Sequence, residues 1–163
     1  METPAHIPEV SVIVPVYNDK DSLPSVIEGI RKAMSGVFDT EIIVVDDGST
    51  DGLSQDSIPG AVRFHRHSEN MGYGAAIKTG LRHALGSCVV IMDADGTYPA
   101  EAIPALVRAL DDCDMSVGAR TGATVHIPLV RQPAKWVLNR LANFLAGRRI
   151  PDLNSGLRAF RKS

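Results

Sequence analysis

The chain has 163 residues, of which 44% are hydrophobic and 22% charged, enough to bury one proper core as a single domain. A formal net charge of -2 argues against general affinity for nucleic acid. No stretch approaches the ~20 apolar residues of a membrane span, residues 1–8 lack signal-peptide character, and Cys88 and Cys113 fit reduced, buried thiols of a cytoplasmic protein better than a disulfide.

Strand and helix signals then alternate along the chain. Val10-Ser11-Val12-Ile13-Val14-Pro15-Val16-Tyr17-Asn18 is a β-branched run closed by Pro and Asn. Residues 22–36 carry Leu23, Val26, Ile27, Ile30 and Met34 at helical spacing, with Pro24 tolerable in the first turn. Glu41-Ile42-Ile43-Val44-Val45 is a second buried strand that ends in the acidic turn Asp46-Asp47-Gly48-Ser49-Thr50-Asp51. Residues 62–65 read as a short strand, and residues 72–85 as a helix with Ala76, Ile77, Leu81 and Leu85 inward. Cys88-Val89-Val90-Ile91 is a strand that runs into Met92-Asp93-Ala94-Asp95-Gly96; a helix over 99–110 and a strand over 115–118 follow. This order predicts an α/β fold, a mainly parallel twisted sheet with helices on both faces.

Three buried strands ending in polar clusters imply one shared crevice, since parallel sheets bind ligands beyond the carboxyl ends of their strands. An interior as apolar as 88–91 cannot solvate two ionised carboxylates, so Asp93 and Asp95 emerge at the strand end. One residue apart on extended chain, they point to the same side and suit a divalent cation shared with water and phosphates; the plainer alternative is a polar turn. Asn70-Met71-Gly72-Tyr73-Gly74 offers low-bulk backbone leading into a helix start, where free N–H groups attract anions, or simply a turn. It is no dinucleotide fingerprint, because Ile77 occupies the third glycine's place, which disfavours a nicotinamide dehydrogenase. Lys78, one turn in, adds positive charge near a diphosphate or is a solvated helix residue. His65, His67, His83 and His126 lack metal-ligand spacing and read as structural or exposed.

Val-Pro-Val-Tyr-Asn, Val-Val-Asp-Asp-Gly-Ser-Thr-Asp, Asn-Met-Gly-Tyr-Gly-Ala-Ala and Asp93-Ala94-Asp95-Gly96-Thr97, in this order, resemble the family 2 glycosyltransferases of GT-A, Rossmann-like fold. Within that family the chain is most similar to the dolichyl-phosphate and polyprenyl-phosphate sugar synthases, over residues 10–161. The resemblance implies transfer of a hexose from a GDP-mannose or UDP-glucose type of donor to polyprenyl or dolichyl phosphate, with inversion, at the cytoplasmic face of a membrane. Pro15, Tyr17 and Asp19 match the base-holding strand end, with Asp19 where many relatives have Glu. Asp46 and Asp47 match an acidic pair of which one accepts from the base; Asp47 is favoured, with Asp46 ordering the turn. A carboxylate accepting from a ring N–H suits uracil or guanine. Gly72, Gly74 and Lys78 fall by the diphosphate, and Asp93 and Asp95 hold Mg2+ or Mn2+. Thr97 stands by the metal where Gln is frequent, a weaker ligand that acts through water.

Arg120 and Arg131 match basic positions near phosphate, which forked guanidinium donors suit, and surface salt bridges explain them equally well. The run Ile150-Pro151-Asp152-Leu153-Asn154-Ser155-Gly156-Leu157-Arg158-Ala159-Phe160-Arg161 resembles the acceptor-side motif of the lipid-phosphate branch. There Asp152 orients the acceptor or contacts the metal, and Arg158 meets phosphate; an Asp152 general base would instead serve a sugar or protein hydroxyl acceptor. A non-catalytic nucleotide-sugar binding module is the other alternative. Residues 135–149 mix Trp136, Leu138, Leu141, Phe144 and Leu145 with Lys135, Arg140, Arg148 and Arg149, as a helix lying at a lipid surface or packed on the core does. Relatives in this branch continue beyond this point, so the expectation is one catalytic domain over 1–163, truncated on its acceptor side.

Overall fold

A computed structural model describes residues 7–119 and 155–162. Among them the strands are β1 (Val10–Val16), β2 (Thr40–Asp46), β3 (Arg63–Arg66), β4 (Cys88–Met92), β5 (Met115–Val117) and β6 (Leu157–Arg161). The helices are α1 (Leu23–Met34), α2 (Tyr73–His83) and α3 (Ile103–Ala109). The strands form one sheet in the order β3-β2-β1-β4-β6-β5. β1 to β4 are mutually parallel, and β6 enters antiparallel between β4 and β5. The mainly parallel expectation therefore holds, with one reversed strand that the sequence reading did not foresee.

The side-chain period of two sorts the strands between two cores. Val12, Val14, Val16, Ile42, Val44, Val90 and Met92 face α1 and α3, where they meet Leu23, Ile27, Ile30, Met34, Ile103 and Val107. Ile13, Ile43, Val45 and Val89 face the other way, onto Ala76 and Ala84 with Leu81 alongside. Strands buried on both faces explain why β1, β2 and β4 read as continuous apolar runs rather than alternating ones.

α1 buries all five residues its periodicity nominates, with Pro24 in its first turn. α2 is shorter than expected: its buried positions are Ala76 and Gly80, Ile77 is only partly buried, and Leu85 is exposed. The chain leaves the helix after His83, so Ala84 takes the inward place assigned to Leu85. The helix over 99–110 divides into a single 3-10 turn, Ala100–Ala102, and α3, whose first turn contains Pro104. Pro is pre-organised for a first helical turn and cannot donate to the turn before it. Cys113 is exposed and Cys88 partly buried, both as free thiols, which corrects the expectation that both are buried.

α2 lies so near the sheet that a Cβ on Gly80 would sit 2.4 Å from Ile13 Cγ2. Helix propensity alone makes Gly→Ala favourable by about 1 kcal/mol, whereas forcing a methyl into a packed contact costs about 1–3 kcal/mol. Gly80→Ala is therefore expected to lower the urea midpoint at unchanged m-value. Gly74→Ala, with nothing within 4 Å of the added carbon, is expected to leave the midpoint unchanged or raise it.

Candidate functional site

The parallel register aligns Val16 with Asp46 and Asp46 with Arg66, so β1, β2 and β3 end level with one another. The residues that follow, Tyr17, Asp47 and His67, therefore leave the sheet along one edge. There Pro15, Tyr17, Asp47, Asn70 and Tyr73 line an open cavity of about 200 Å3, floored by Val16 and Ala76.

Asp47 is the fixed point of this cavity. It is 3% exposed, yet its carboxylate accepts three hydrogen bonds. His67 Nδ1 donates to Oδ1 at 2.7 Å, Met71 N–H to Oδ1 at 3.0 Å and Gly72 N–H to Oδ2 at 2.8 Å. Burial raises its pKa, but the hydrogen bonds from His67, Met71 and Gly72 outweigh burial and hold it below the usual carboxylate range. A carboxylate has about four acceptor positions, so roughly one remains for a ligand donor, on Oδ2. His67 is in turn set by Thr79 Oγ1, 2.9 Å from its Nε2.

Asp46 points the other way and is wholly buried. Its Oδ1 accepts the Ser49 N–H at 2.8 Å, and its Oδ2 lies 3.3 Å from Arg66 Nε, an ion pair without hydrogen-bond alignment. Arg66 also donates to the carbonyls of Ser49 and Leu53, at 2.6 and 2.9 Å. Asp46 and Arg66 thus order the 47–53 turn from beneath, and Asp46 has no surface to offer a ligand.

Beside this cavity, Asp93 follows β4. Its N–H donates to the Gly156 carbonyl at 3.2 Å, and its Oδ1 accepts the Tyr73 hydroxyl at 2.8 Å. Burial, with the hydrogen bond to Asp93, pushes the Tyr73 phenol above its ordinary pKa, so it remains a donor at neutral pH. Gly156 is backed by Tyr98, whose hydroxyl accepts the Gly156 N–H at 2.7 Å, and a Cβ on Gly156 would fall 1.7 Å from Asp93 Oδ2. Asp95 is exposed, and its Oδ1 accepts the Thr97 N–H at 2.8 Å across Gly96, which takes a φ of 69°. Among the described residues no three His, Cys, Asp or Glu side chains converge as a closed cage. Asp93 and Asp95 thus offer hard oxygen at an open strand end, a donor set that fits a magnesium-type or manganese-type ion completed by phosphate and water.

The structure brings Pro15, Tyr17 and Asp47 to one cavity and places Asp93, Asp95 and Thr97 at the adjoining strand end. Thr97 meets Asp95 through its backbone. Asp19 instead engages the Ser22 hydroxyl ahead of α1 and is absent from the cavity wall. Gly72, with a φ of 92°, precedes α2 in a conformation that favours glycine. Gly74 lies in the first turn of α2, and Lys78 is exposed on its second. Arg158 is half-buried and donates from Nε to the Ser155 carbonyl at 2.8 Å. Arg120, Arg131, Asp152 and the 135–149 segment lie outside the described residues. Sequence reasoning assigned no role here to His67, Tyr73, Arg66 or Gly156. The register was the available signal for His67: β2 and β3 in parallel put the residues after Asp46 and Arg66 side by side.

A family model described as "Glycosyl transferase family 2" matches residues 11–163. Undecaprenyl-phosphate 4-deoxy-4-formamido-L-arabinose transferase of Photorhabdus laumondii is 32% identical over 163 residues, covering 96% of this chain and 50% of that protein. The Salmonella choleraesuis protein of the same name is 32% identical over 165 residues, covering 97% and 50%. The chain thus spans about half the length of the curated relatives it matches. Among solved structures, a mannosyltransferase from Pyrobaculum calidifontis in complex with GDP-Man and Mn2+ superposes with a TM-score of 0.65 at 28% identity, over 97% of this chain and 46% of that one. Glucosyl-3-phosphoglycerate synthase from Mycobacterium tuberculosis, with Mn2+, UDP-Glc and phosphoglyceric acid, gives a TM-score of 0.70 at 26% identity, over 94% and 56%.

The geometry of Asp47 predicts a pH signature. A depressed pKa contributes stability that is fully present above the unfolded value of about 4 and is lost as pH falls through the lower folded value. Asp47→Asn turns one acceptor into a donor facing an N–H, so it is expected to cost about 2–3 kcal/mol at pH 7. In denaturant unfolding across pH, the variant and the wild type should converge below about pH 4.

Proposed function

The chain belongs to glycosyl transferase family 2, and from that membership we propose that it moves a hexose from a nucleotide-diphosphate sugar to a polyprenyl phosphate, with inversion and with Mg2+ or Mn2+. The observation that carries the reading is the Asp47 cavity joined to the Asp93-Asp95 strand end through Tyr73, which lines the cavity and donates to Asp93. The undecaprenyl-phosphate relatives support a polyprenyl-phosphate acceptor; their own sugar is an arabinose derivative, a pentose, so the hexose is supported by the GDP-Man and UDP-Glc of the superposed structures, whose Mn2+ supports the cation.

Each residue then has a defined task. Pro15, Tyr17 and Asp47 hold the base, and the remaining acceptor position of Asp47 takes one ring N–H, a group that uracil and guanine both present. Asp46 orders the turn that carries Asp47. Gly72 and Gly74 let the diphosphate approach the start of α2, with Lys78 and Arg120 contributing positive charge. Asp93 and Asp95 hold the cation, Thr97 lies beside it, and when bound the ion neutralises the charge that builds on the departing nucleoside diphosphate. Arg131, Asp152 and Arg158 are assigned to the acceptor phosphate on their chemistry and their match to the acceptor side of the family. A phosphate acceptor is already ionised, so no general base is required of Asp152.

No helix among the described residues is long and apolar enough to cross a membrane. The polyprenyl-phosphate acceptor of this reading would bring the domain to the cytoplasmic face of a membrane, a surface that suits the mixed apolar and basic composition of residues 135–149.

Calorimetric titration of GDP and of UDP, with and without Mn2+, tests the reading. One nucleotide is expected to bind in a metal-dependent manner. Asp95→Ala should weaken that binding at least tenfold while changing stability by no more than about 0.5 kcal/mol, because the side chain is exposed. Metal-dependent binding that survives in Asp95→Ala removes the carboxylate pair from the donor site.

A further inference from the structure

We propose that Tyr73 is a positioning residue for Asp93, through which the turn at the base end of the crevice sets the carboxylate at its metal end; this rests on the metal-dependent donor reading above. Tyr73 is the first residue of α2, and its hydroxyl donates to Asp93 Oδ1 at 2.8 Å. The backbone from which it projects is not free to drift. Asp47 holds the N–H groups of Met71 and Gly72, the two residues before it, at 3.0 and 2.8 Å. One buried carboxylate thereby aims the phenol at a second, half-buried one.

On its opposite side Asp93 is confined by Gly156, just ahead of β6. Its Oδ2 lies where a Gly156 Cβ would be, 1.7 Å away, and its N–H is held by the Gly156 carbonyl at 3.2 Å. The terminal torsion of an aspartate has a broad, soft profile, so backbone anchoring alone leaves the plane of the carboxylate undetermined. The Tyr73 hydrogen bond fixes Oδ1 within that plane. A neutral phenol suits the task better than Lys or Arg, because it orients the oxygens without cancelling the charge that attracts a cation.

A simple packing role accounts poorly for Tyr73. It is 49% exposed and belongs to neither core. Its hydroxyl forms a directed contact with a residue 20 positions away. Truncating that one atom should therefore register on the metal rather than on the fold.

The test is calorimetric titration of MnCl2 into the wild type and Tyr73→Phe with UDP or GDP present, alongside titration of the nucleotide without metal. Mn2+ affinity is expected to fall about tenfold or more in Tyr73→Phe, the usual loss when a ligand's orienting hydrogen bond is removed. The thermal unfolding midpoint should stay at the wild-type value, and any loss of metal-free nucleotide affinity should be smaller than the loss for Mn2+. Equal Mn2+ affinity in the two proteins overturns the proposal, as does a parallel loss of metal, nucleotide and thermal stability, which marks a structural role. Absence of Mn2+ uptake by the wild type with either nucleotide overturns the donor reading itself, and the Tyr73 proposal with it. The wild-type titration alone separates that failure from the others.

Discussion

An ionised carboxylate inside a protein is tolerated only when several donors meet it, and that requirement at Asp47 fixes the edge of this domain at the carboxyl ends of its strands. Its three donors come from two segments, His67 just beyond β3 and the Met71-Gly72 backbone ahead of α2. Satisfying Asp47 therefore determines where the 67–72 turn lies and where α2 begins. Gly48 makes the same demand sterically: with a φ of 75°, a Cβ there would lie 2.5 Å from the Glu69 carbonyl carbon, so the two turns pack backbone on backbone. A hydrogen bond to a charged group contributes about 1.5–3 kcal/mol, while leaving such a group bare in the interior costs more, so these turns have little freedom to move independently.

The apolar sheet beneath supplies the rigidity that this edge uses. Alternate residues of β1, β2 and β4 enter opposite cores, so a one-residue slip of any of these strands would exchange its two faces and also displace the acidic turn at its end. Packing and site geometry are consequently set by the same register. The small residues Ala76, Gly80 and Ala84 let α2 approach Ile13 closely, which brings the start of α2 over the strand ends. The helix start faces Asp47 and Asp93 because its buried face is nearly devoid of side-chain bulk.

Much of this was legible in the sequence, for identifiable reasons. Continuous β-branched runs marked β1, β2 and β4, and a full apolar stripe marked α1, because burial on two faces or on one leaves a periodicity that a single sequence displays. β6 escaped because Leu157-Arg158-Ala159-Phe160-Arg161 is short and bears two arginines, and its pairing with β4 joins positions about seventy residues apart, which periodicity does not encode. Leu85 was placed inward by extending the 3.6-residue repeat one step past the real end of α2. Asp47, Asp93 and Asp95 were readable because carboxylates after apolar runs have few places to go. His67 and Tyr73 were not, because their roles depend on which residues the parallel register and the turn bring beside those carboxylates.

Size does not identify the site in this fold. A larger cavity, about 300 Å3, lies at the opposite edge of the sheet, lined by Arg31, Met34, Phe38, Asp39 and Thr40 near the beginning of β2. That edge has polar groups of its own, but they are knitted together. Glu41 accepts from Ser11 Oγ and the Leu85 N–H, each at 2.6 Å, and from Arg63 at 2.7 Å; burial opposes its charge, and these partners still hold its pKa below the ordinary value. The turns there consume their donors and acceptors in joining the chain to itself. At the carboxyl ends of the strands, Asp47 retains acceptor capacity and Asp95 stands exposed. The βαβ connection explains the difference: crossover helices return the chain along the two faces of the sheet and leave the strand-to-helix turns at its carboxyl end, where polar groups can meet a ligand.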